Sequence, residues 1–386
     1  MKDYKLTMKN KLSIIACAIT CITFISADEF FEAGSKIGGY GELHWNKSYD
    51  IDGNETSNKL DFHRFIIYYG HNWTEEWSFK SELELEHNIV GGDADDPDGT
   101  GTTIGYAAEL ELEQAFVNYH TDKWGFQGGV ILPSVGLINE YHEPPLFLSV
   151  ERPDYSKRII PTTWFGNGFA FYGKFSDFNW RIAMLEDLNG ESISDGIRSA
   201  RGKGYKTTAY SWTKNLSTSY TGINGLRLGG SLTINDAPID NDKDNTVGVN
   251  LVEVNAKYDA NNIVAVLEYG KISYKNNPSS YDSSSGYYLD LGYNIGSLLG
   301  CDGKLIPWLR LSNVARADGV ADKTYSIFRT GLTYKPIDNV AFKLDYGTVT
   351  QIVDVITYSS GNTAIGLVTK EDVSTTDFNI GMGYSF

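Results

Sequence analysis

Six glutamates lie at alternate positions of two short stretches, with leucines between them. They are Glu82, Glu84 and Glu86 in "SELELEHNIV" (residues 81–90), and Glu109, Glu111 and Glu113 in "AELELEQAFV" (residues 108–117). Because successive side chains of a β-strand point to opposite faces, each stretch predicts a strand with a carboxylate face and a leucine face. Rows of carboxylates favour cations when they line a water-filled passage. Rows of carboxylates also form the ordinary solvated face of a soluble strand pair. The pattern of the surrounding elements is needed to choose between these two interpretations.

The link between the two stretches makes them antiparallel neighbours. A simple hairpin pairs the glutamates across the ladder: Glu82 with Glu113, Glu84 with Glu111, and Glu86 with Glu109. Like charges directly opposite each other destabilise a sheet. The sequence therefore predicts an offset register, or compensation by water, bound cations or a nearby base, for which Arg64 is the candidate.

The chain of 386 residues is acidic, with a formal net charge of −16. This charge argues against a nucleic-acid partner, because binding to phosphates requires an excess of lysine and arginine. Residues 1–27 begin with lysines, continue with a short apolar run and end in small residues, which predicts a signal peptide cleaved after Ala27. A retained helical anchor and lipoprotein processing at Cys21 are the alternatives. Cleavage after Ala27 leaves Cys301 as the single cysteine, so no intrachain disulfide can form.

Alternation with a period of two runs through the whole mature chain, which predicts sixteen strands. The predicted strands span residues 38–47, 59–71, 77–88, 107–119, 124–136, 165–175, 178–187, 208–221, 225–235, 249–258, 262–274, 285–295, 304–315, 324–335, 340–351 and 376–386. Tight turns such as "DANN" alternate with long links at 89–106, 188–207 and 352–375. An even number of strands with this loop pattern predicts an all-β, transmembrane antiparallel up-and-down barrel.

In such a barrel, one face of each strand meets lipid and the other meets the lumen. The leucines would point outward and the six glutamates would line a wide, wet channel, because a charge that faces lipid is costly. Residues 38–386 would form one barrel domain, after a short amino-terminal segment of residues 28–37. The long links would face the cell exterior and the tight turns the periplasm.

Several stretches resemble the phosphate-selective porin family of Gram-negative outer membranes. They are "LDFHRFIIYYG", "SFKSELELEH", "ELELEQAFVNY" and "GLINEYHEPPLFLSVERPDYSKRIIPTTW". The resemblance implies a sixteen-stranded homotrimeric diffusion porin, placed in outer-membrane lipid and lipopolysaccharide by the barrel-assembly machinery. It also implies a third long loop that folds inward and narrows the channel, here Leu137 to Trp164. The chain departs from the family in showing no run of inward arginines, and "FGNG" follows "IIPTTW" where a charged pair is common. The resemblance therefore implies the architecture and does not carry phosphate selectivity.

The implied constriction loop carries charges of both signs. They are Glu143, Glu151, Arg152, Asp154, Lys157 and Arg158. Such a mixture would set a transverse field that sieves polar solutes, or would form salt bridges that pin the loop to the wall. The prolines Pro144 and Pro145 support a loop here, because proline is poorly tolerated inside a hydrogen-bonded ladder. A second basic stretch, "IRSARGKGYK", would attract anions or anionic surface lipid, or be an ordinary solvated loop.

Signals for catalysis or metal binding are weak. The six histidines show no metal-ligand spacing, and "DADDPDG" lacks the glutamate that completes an EF-hand loop. We therefore expect no catalytic residue, no metal and no cofactor.

Together these patterns predict an outer-membrane porin that passes small hydrophilic solutes and ions by passive diffusion, with a mild cation preference. The alternatives are an anion- or phosphate-selective porin, and an enzyme or adhesin built on a barrel. Phe386 would end the last strand facing lipid and serve as the assembly signal for the insertion machinery.

Overall fold

The computed structural model describes residues 33–88, 109–358 and 366–386, with the side chains of these ranges except residues 354–358 and 366–370. Within these ranges, sixteen strands form one closed barrel in which each strand pairs with its neighbours in sequence and β1 pairs with β16. Every pairing is antiparallel, so the predicted all-β up-and-down barrel is confirmed. The predicted signal peptide and the link 89–106 lie outside the described residues.

The strands follow one another with few interruptions. They are β1 (Gly34–Tyr49), β2 (Glu55–Asn72), β3 (Trp77–Glu86), β4 (Leu110–His120), β5 (Trp124–Ile131), β6 (Gly166–Phe175), β7 (Phe178–Leu185), β8 (Thr213–Ile223), β9 (Leu226–Ile239), β10 (Asp242–Ala260), β11 (Ile263–Lys275), β12 (Ser283–Tyr293), β13 (Lys304–Ala315), β14 (Thr324–Ile337), β15 (Val340–Tyr358) and β16 (Gly366–Ser385). Single-turn α-helices lie at Leu137–Glu140, Tyr155–Arg158 and Gly296–Leu299, and 3-10 turns at Pro144–Leu146, Gly190–Ser192, Arg198–Ala200 and Ala321–Lys323. Among the described residues, no helix is both long enough and apolar enough to cross a membrane.

All sixteen predicted strands are present, but two links are shorter than the sequence suggested. The predicted link 352–375 is wrong in its extent, because β15 continues to Tyr358 and β16 begins at Gly366. The strand predicted to start at residue 249 begins instead at Asp242, directly after Asp240 and Asn241. These two residues have φ values of 53° and 56°, which is the left-handed geometry of a two-residue hairpin turn.

The two faces of each strand differ sharply in chemistry. In β10, Leu251 and Glu253 are at most 1% exposed, whereas Val252 and Val254 are 46% and 52% exposed. Similar exposed apolar residues recur on the other strands, whereas polar and charged side chains are common in the buried rows. We call the exposed row the outer face and the buried row the inner face. This division is the one that a barrel needs when lipid surrounds it.

The carboxyl terminus closes the barrel. Phe386 and Gly39 exchange two backbone hydrogen bonds of 3.0 and 2.9 Å, and Ser385 pairs with Tyr40. Because Tyr40 is buried on the inner face, Phe386 lies in the outer row, where it is 58% exposed. Its role as an assembly signal stays a prediction.

Candidate functional site

The two glutamate-rich strands pair with a shifted register. Glu84 lies opposite Glu111, as the simple hairpin predicts. A β-bulge then follows, so that Glu82 lies opposite Gln114 and Glu113 is the extra residue. The simple hairpin therefore does not hold at Glu82 and Glu113, where the register is offset, which is one of the two alternatives that the repulsion of like charges suggested. A bulge leaves one residue unpaired and re-aims its side chain, which the alternation of the sequence does not reveal.

The six carboxylates lie on the inner faces of β3, β4 and the residue before β4, but they differ in burial. Glu82, Glu84 and Glu113 are at most 2% exposed, whereas the side chains of Glu86, Glu109 and Glu111 keep 26%, 52% and 15% of their accessible surface. Only one end of the glutamate rows therefore reaches solvent within the protomer. The prediction that all six line the channel stays a prediction.

Arg64 of β2 lies at the centre of a buried charge network. Its Nε is 2.6 Å from Glu42 Oε1, its Nη1 is 3.1 Å from Glu84 Oε1, and its Nη2 is 3.5 Å from Glu86 Oε1. The guanidinium is 7% exposed and carries its charge among these acids. Arg64 is thus the base that compensates part of the glutamate rows.

The second partner of the rows comes from residues 186–212, which we call the β7–β8 segment. Lys203 donates to Glu109 at 2.9 Å and also pairs with Glu111. Arg201 of the same segment donates to the carbonyls of Thr162 and Thr163 at 2.9 and 2.8 Å. The basic stretch "IRSARGKGYK", for which the sequence left two interpretations open, is therefore paired with the glutamate-rich end of β4.

Residues 132–165, which we call the β5–β6 segment, contain the predicted constriction loop. Lys343 of β15 donates to the carbonyls of Pro144 and Ser149 at 2.6 and 2.8 Å. Thr333 of β14 donates to the carbonyl of Leu148 at 2.6 Å. These donors are buried inner-face side chains, so the segment contacts the inner face of β14 and β15.

An apolar cluster holds both segments on another part of the inner face. It includes Tyr155, Ile159, Ile160 and Trp164 of the β5–β6 segment, Leu188, Ile193 and Ile197 of the β7–β8 segment, and Val247, Leu251, Ile272 and Tyr288 of the strands. Burial of this much apolar surface is the dominant favourable term that fixes the two segments in place.

Glycines on β16 leave room for the β5–β6 segment. A Cβ added to Gly381 would lie 2.7 Å from Val150, and one added to Gly383 would collide with Pro144. The glycines of "NIGMGYSF" therefore permit close packing of the segment, in addition to the bending of strands that glycine allows.

The charged residues of the predicted constriction loop are largely paired. Glu151 contacts Lys157 at 3.1 Å and His44 at 3.0 Å, and Arg158 lies 3.5 Å from Asp154. Burial alone would raise the pKa of Glu151, but the charge of Lys157 and the hydrogen bond with His44 lower the pKa well below its usual range.

The other two loop charges contact neutral groups. Tyr68 donates to Glu143 at 3.3 Å, and Arg152 donates to the carbonyl of His142 at 3.3 Å. The salt-bridge interpretation of the loop charges thus has direct geometric support, and the transverse field stays a prediction.

Sequence analysis missed a second charge network on β12 to β16. Arg310 forms a bidentate pair with Asp290 at 2.6 and 2.7 Å, and Arg329 donates to Asp345 at 2.7 Å and also pairs with Asp377. The two arginines are cross-strand neighbours on the inner face. The sequence carried a signal for Arg310 in "WLRLSN", because the leucines on both sides of this arginine point outward and the arginine must then point inward.

The sequence comparisons give a relative but no family. No family model matches the chain. An uncharacterized protein of Aquifex aeolicus (strain VF5) is 29% identical over 347 residues, which cover 81% of this chain and 75% of that protein.

Solved structures similar to this chain are porin barrels. The anion-selective porin from Comamonas acidovorans superposes with a TM-score of 0.60 at 14% identity, covering 92% of this chain and 100% of that one. OmpF of Salmonella typhi, in complex with daunomycin, gives 0.56 at 13% identity, with 91% and 97% covered. The outer membrane channel DcaP of Acinetobacter baumannii gives 0.53 at 12% identity, with 92% and 98% covered. The chain therefore has the sixteen-stranded porin fold, and at these identities the likeness extends to the fold alone.

Proposed function

We propose that the protein is an outer-membrane porin through which small hydrophilic solutes diffuse passively. The observation that carries the proposal is a closed barrel of sixteen described strands with an apolar exposed outer face and a polar inner face. Barrels of about this strand number leave room for an aqueous channel, whereas eight-stranded barrels fill with side chains.

The β5–β6 segment narrows the channel in this proposal. Its contacts reach strands that are far apart around the barrel. Besides β14 and β15, they include His142 with Glu82 on β3, and the backbone N–H of Leu137 with Glu268 on β11 at 3.3 Å. A segment held at opposite parts of the inner face lies across the path of a solute.

The channel has a mild cation preference in this proposal. Glu86, Glu109 and Glu111 are the carboxylates of the glutamate rows that keep solvent contact. At physiological salt, a charge acts over about 8 Å, which is comparable with the radius of a narrowed pore. Pairing with Arg64 and Lys203 weakens this preference, so we expect it to be small.

Anion or phosphate selectivity is the second candidate. Arg152 and Arg201 donate to backbone carbonyls and Arg198 is exposed, and none of the three forms an ion pair with a carboxylate among the described residues. Burial and the charge of Arg198 lower the pKa of Arg201 to about 10, so its guanidinium stays protonated at neutral pH. Guanidinium groups near the passage whose charge no carboxylate neutralises would attract anions.

The proposal also includes a signal peptide, an oligomeric state and an orientation in the membrane. Residues 1–27 act as a signal peptide, the barrel assembles as a homotrimer in lipid and lipopolysaccharide, and the link between β11 and β12 faces the cell exterior. In a Cys301→Ser background, Ser279→Cys in that link should react with a membrane-impermeant thiol reagent on intact cells. Glu75→Cys in the β2–β3 turn should not. The reverse pattern would invert the proposed orientation.

Swelling of liposomes that contain the purified protein tests the diffusion channel. Neutral sugars of increasing size should enter at decreasing rates, because a narrowed aqueous passage discriminates by size. A swelling rate equal to that of protein-free liposomes, from protein whose β-sheet circular dichroism shows it to be folded, would contradict the proposal.

A further inference from the structure

A buried cluster joins the β5–β6 segment to the two glutamate-rich strands. His142 Nε2 lies 3.2 Å from Glu82 Oε1 and 3.7 Å from Glu113 Oε2. All three residues are at most 2% exposed. One ligand atom from each residue lies within 4.8 Å of the other two, which is the grouping expected around a single ion.

The hydrogen bonds of His142 determine which nitrogen faces the carboxylates. Its Nδ1 lies 3.2 Å from the carbonyl oxygen of Asn139, which can only accept, so Nδ1 carries a proton. In the neutral imidazole, Nε2 then carries a lone pair, which faces Glu82 and Glu113. Three acceptors that face one another in a buried site repel, unless a positive group lies between them.

Glu113 gives an independent indication of a missing partner. Neither of its carboxylate oxygens accepts a hydrogen bond from a donor group among the described residues, the side chain is 0% exposed, and the neighbouring Glu84 carboxylate is itself an acceptor. Its distance of 3.7 Å to His142 Nε2 is too long for a hydrogen bond. The bulge on β4 places this side chain, since Glu113 is the residue that the ladder leaves unpaired.

We propose that His142 Nε2, Glu82 and Glu113 bind one divalent first-row cation, of the class represented by Zn²⁺. Imidazole nitrogen and carboxylate oxygen are ligands that Zn²⁺ prefers, at about 2.0–2.2 Å. Ligand atoms of a tetrahedral site with such bonds lie roughly 3.3–3.5 Å apart. The observed separations of 3.2 and 3.7 Å need only small adjustments to reach that geometry.

The surrounding contacts match those of a metal site. The Asn139 carbonyl fixes the tautomer of His142, and the Gln114 amide donates to Glu82 Oε2. Such outer contacts orient the ligands of metals in proteins. A cation of charge two also balances the two carboxylates, since Arg152 donates to the carbonyl of His142 and forms no ion pair with either of them among the described residues.

The consequence is structural. The ion fastens His142 of the β5–β6 segment to β3 and β4. The proposal does not depend on the function of the barrel, because it rests on the cluster alone.

The test measures metal binding in a background that silences a second cluster. Asp61, His63 and His87 also place ligand atoms within 4.8 Å of one another, so every variant carries Asp61→Asn. Glu84, Glu111 and Glu113 form a third such group, which shares Glu113 with the proposed site, so the deciding substitution is made at Glu82, which only the proposed site contains. Protein refolded without metal is titrated with Zn²⁺, and bound metal is counted by mass spectrometry after free ion is removed. Co²⁺ replaces Zn²⁺ in a parallel sample, because its visible absorption reports tetrahedral nitrogen and oxygen ligands.

We expect one Zn²⁺ per chain in the Asp61→Asn background, and at least about 10-fold weaker binding when Glu82→Gln is added, since even outer contacts contribute that much. Glu86→Gln, a change on the same inner face of β3, should leave the affinity unchanged. No tight Zn²⁺ in the folded background protein would overturn the proposal and assign the cluster to a protonated His142 or Glu113. Equal affinity with and without Glu82→Gln would overturn it as well.

Discussion

At the scale of single residues, buried charges are compensated locally. Arg64 contacts Glu42 and Glu84, and all three are at most 6% exposed. Breaking a buried ion pair by removal of one partner is costly, because the other charge stays buried without compensation. Removing one member of the network around Arg64 therefore destabilises the folded barrel strongly. The whole network need not stabilise the barrel more than well-packed apolar residues at the same positions would.

Arg64→Met tests this statement. We expect a loss of about 3–5 kcal/mol in the free energy of unfolding, because Glu42 and Glu84 lose their cation. Denaturant-induced unfolding in detergent, followed by circular dichroism, measures it. Lys47→Met removes the solvent-exposed pair with Glu55 and should leave the free energy of unfolding nearly unchanged. Equal losses in the two variants would show that burial does not set the cost.

At the scale of elements, two segments that lie outside the β-ladders cover parts of the inner face. They determine which inner-face side chains remain accessible. The β5–β6 segment packs against glycines of β16, and the β7–β8 segment is joined to the turn after β13. In both cases a few specific contacts hold a long stretch that has little regular structure of its own. Changes at those contacts should therefore move the segment and spare the barrel.

Gly383→Val tests the packing of the β5–β6 segment. The new side chain would collide with Pro144 and push the segment away from β16. We expect a changed single-channel conductance with unchanged β-sheet circular dichroism. Gly70→Val is the matched control, because a Cβ at this inner-face glycine meets only the Phe79 carbonyl at 3.7 Å. The same conductance in Gly383→Val as in wild type would contradict the proposed constriction.

Asp195 joins the β7–β8 segment to residues 316–323. It lies 2.6 Å from Arg316 and 3.0 Å from Lys323. Burial alone would raise the pKa of Asp195, but the hydrogen bond from Lys323 and the charge of Arg316 outweigh it and lower the pKa. A carboxyl with a lowered pKa in the folded state stabilises the fold above its unfolded pKa of about 3.9, and this contribution is lost as the pH falls through the folded pKa.

Asp195→Asn should therefore reduce stability at pH 7, and the difference from wild type should vanish as the pH falls below the lowered pKa of this carboxyl in the folded state. Thermal unfolding in detergent at several pH values measures it. Asp244→Asn, which removes an exposed pair with Lys243, should show no such pH dependence. A difference between Asp195→Asn and wild type that stays constant down to low pH would rule out this carboxylate as the cause.

At the scale of the whole molecule, alternation with a period of two was sufficient to predict the strands and their order. Many strands read as one apolar and one polar row, as in "TDFNIGMGYSF", whereas β10 also carries apolar residues such as Leu251 on its inner face. What could not be predicted depends on contacts between distant residues. The bulge at Glu113, the pairing of Lys203 with Glu111 and the approach of His142 to Glu82 follow from register and from segment packing. The early start of β10 had a local signal, since Asp240 and Asn241 both tolerate positive φ.

The contacts that close β16 on β1 lead to a prediction about assembly. Phe386 exchanges two hydrogen bonds with Gly39 and is exposed on the outer face. Deletion of Phe386 should lower the yield of folded barrel in the outer membrane while export across the inner membrane continues, because closure of β16 on β1 loses its last pair. Heat-modified gel mobility measures the folded fraction. A normal folded fraction in the deletion would refute the proposed role.

The electrical current across a planar lipid bilayer tests the central claim most directly. The purified wild-type protein should insert with discrete steps of conductance that grow with salt concentration, and a salt gradient should give a small reversal potential on the cation side. At roughly 1 M salt, where the screening length falls to about 3 Å, that preference should fade. Folded protein that inserts without any conductance would contradict the account, and a reversal potential on the anion side would replace the cation preference with the anion-selective alternative.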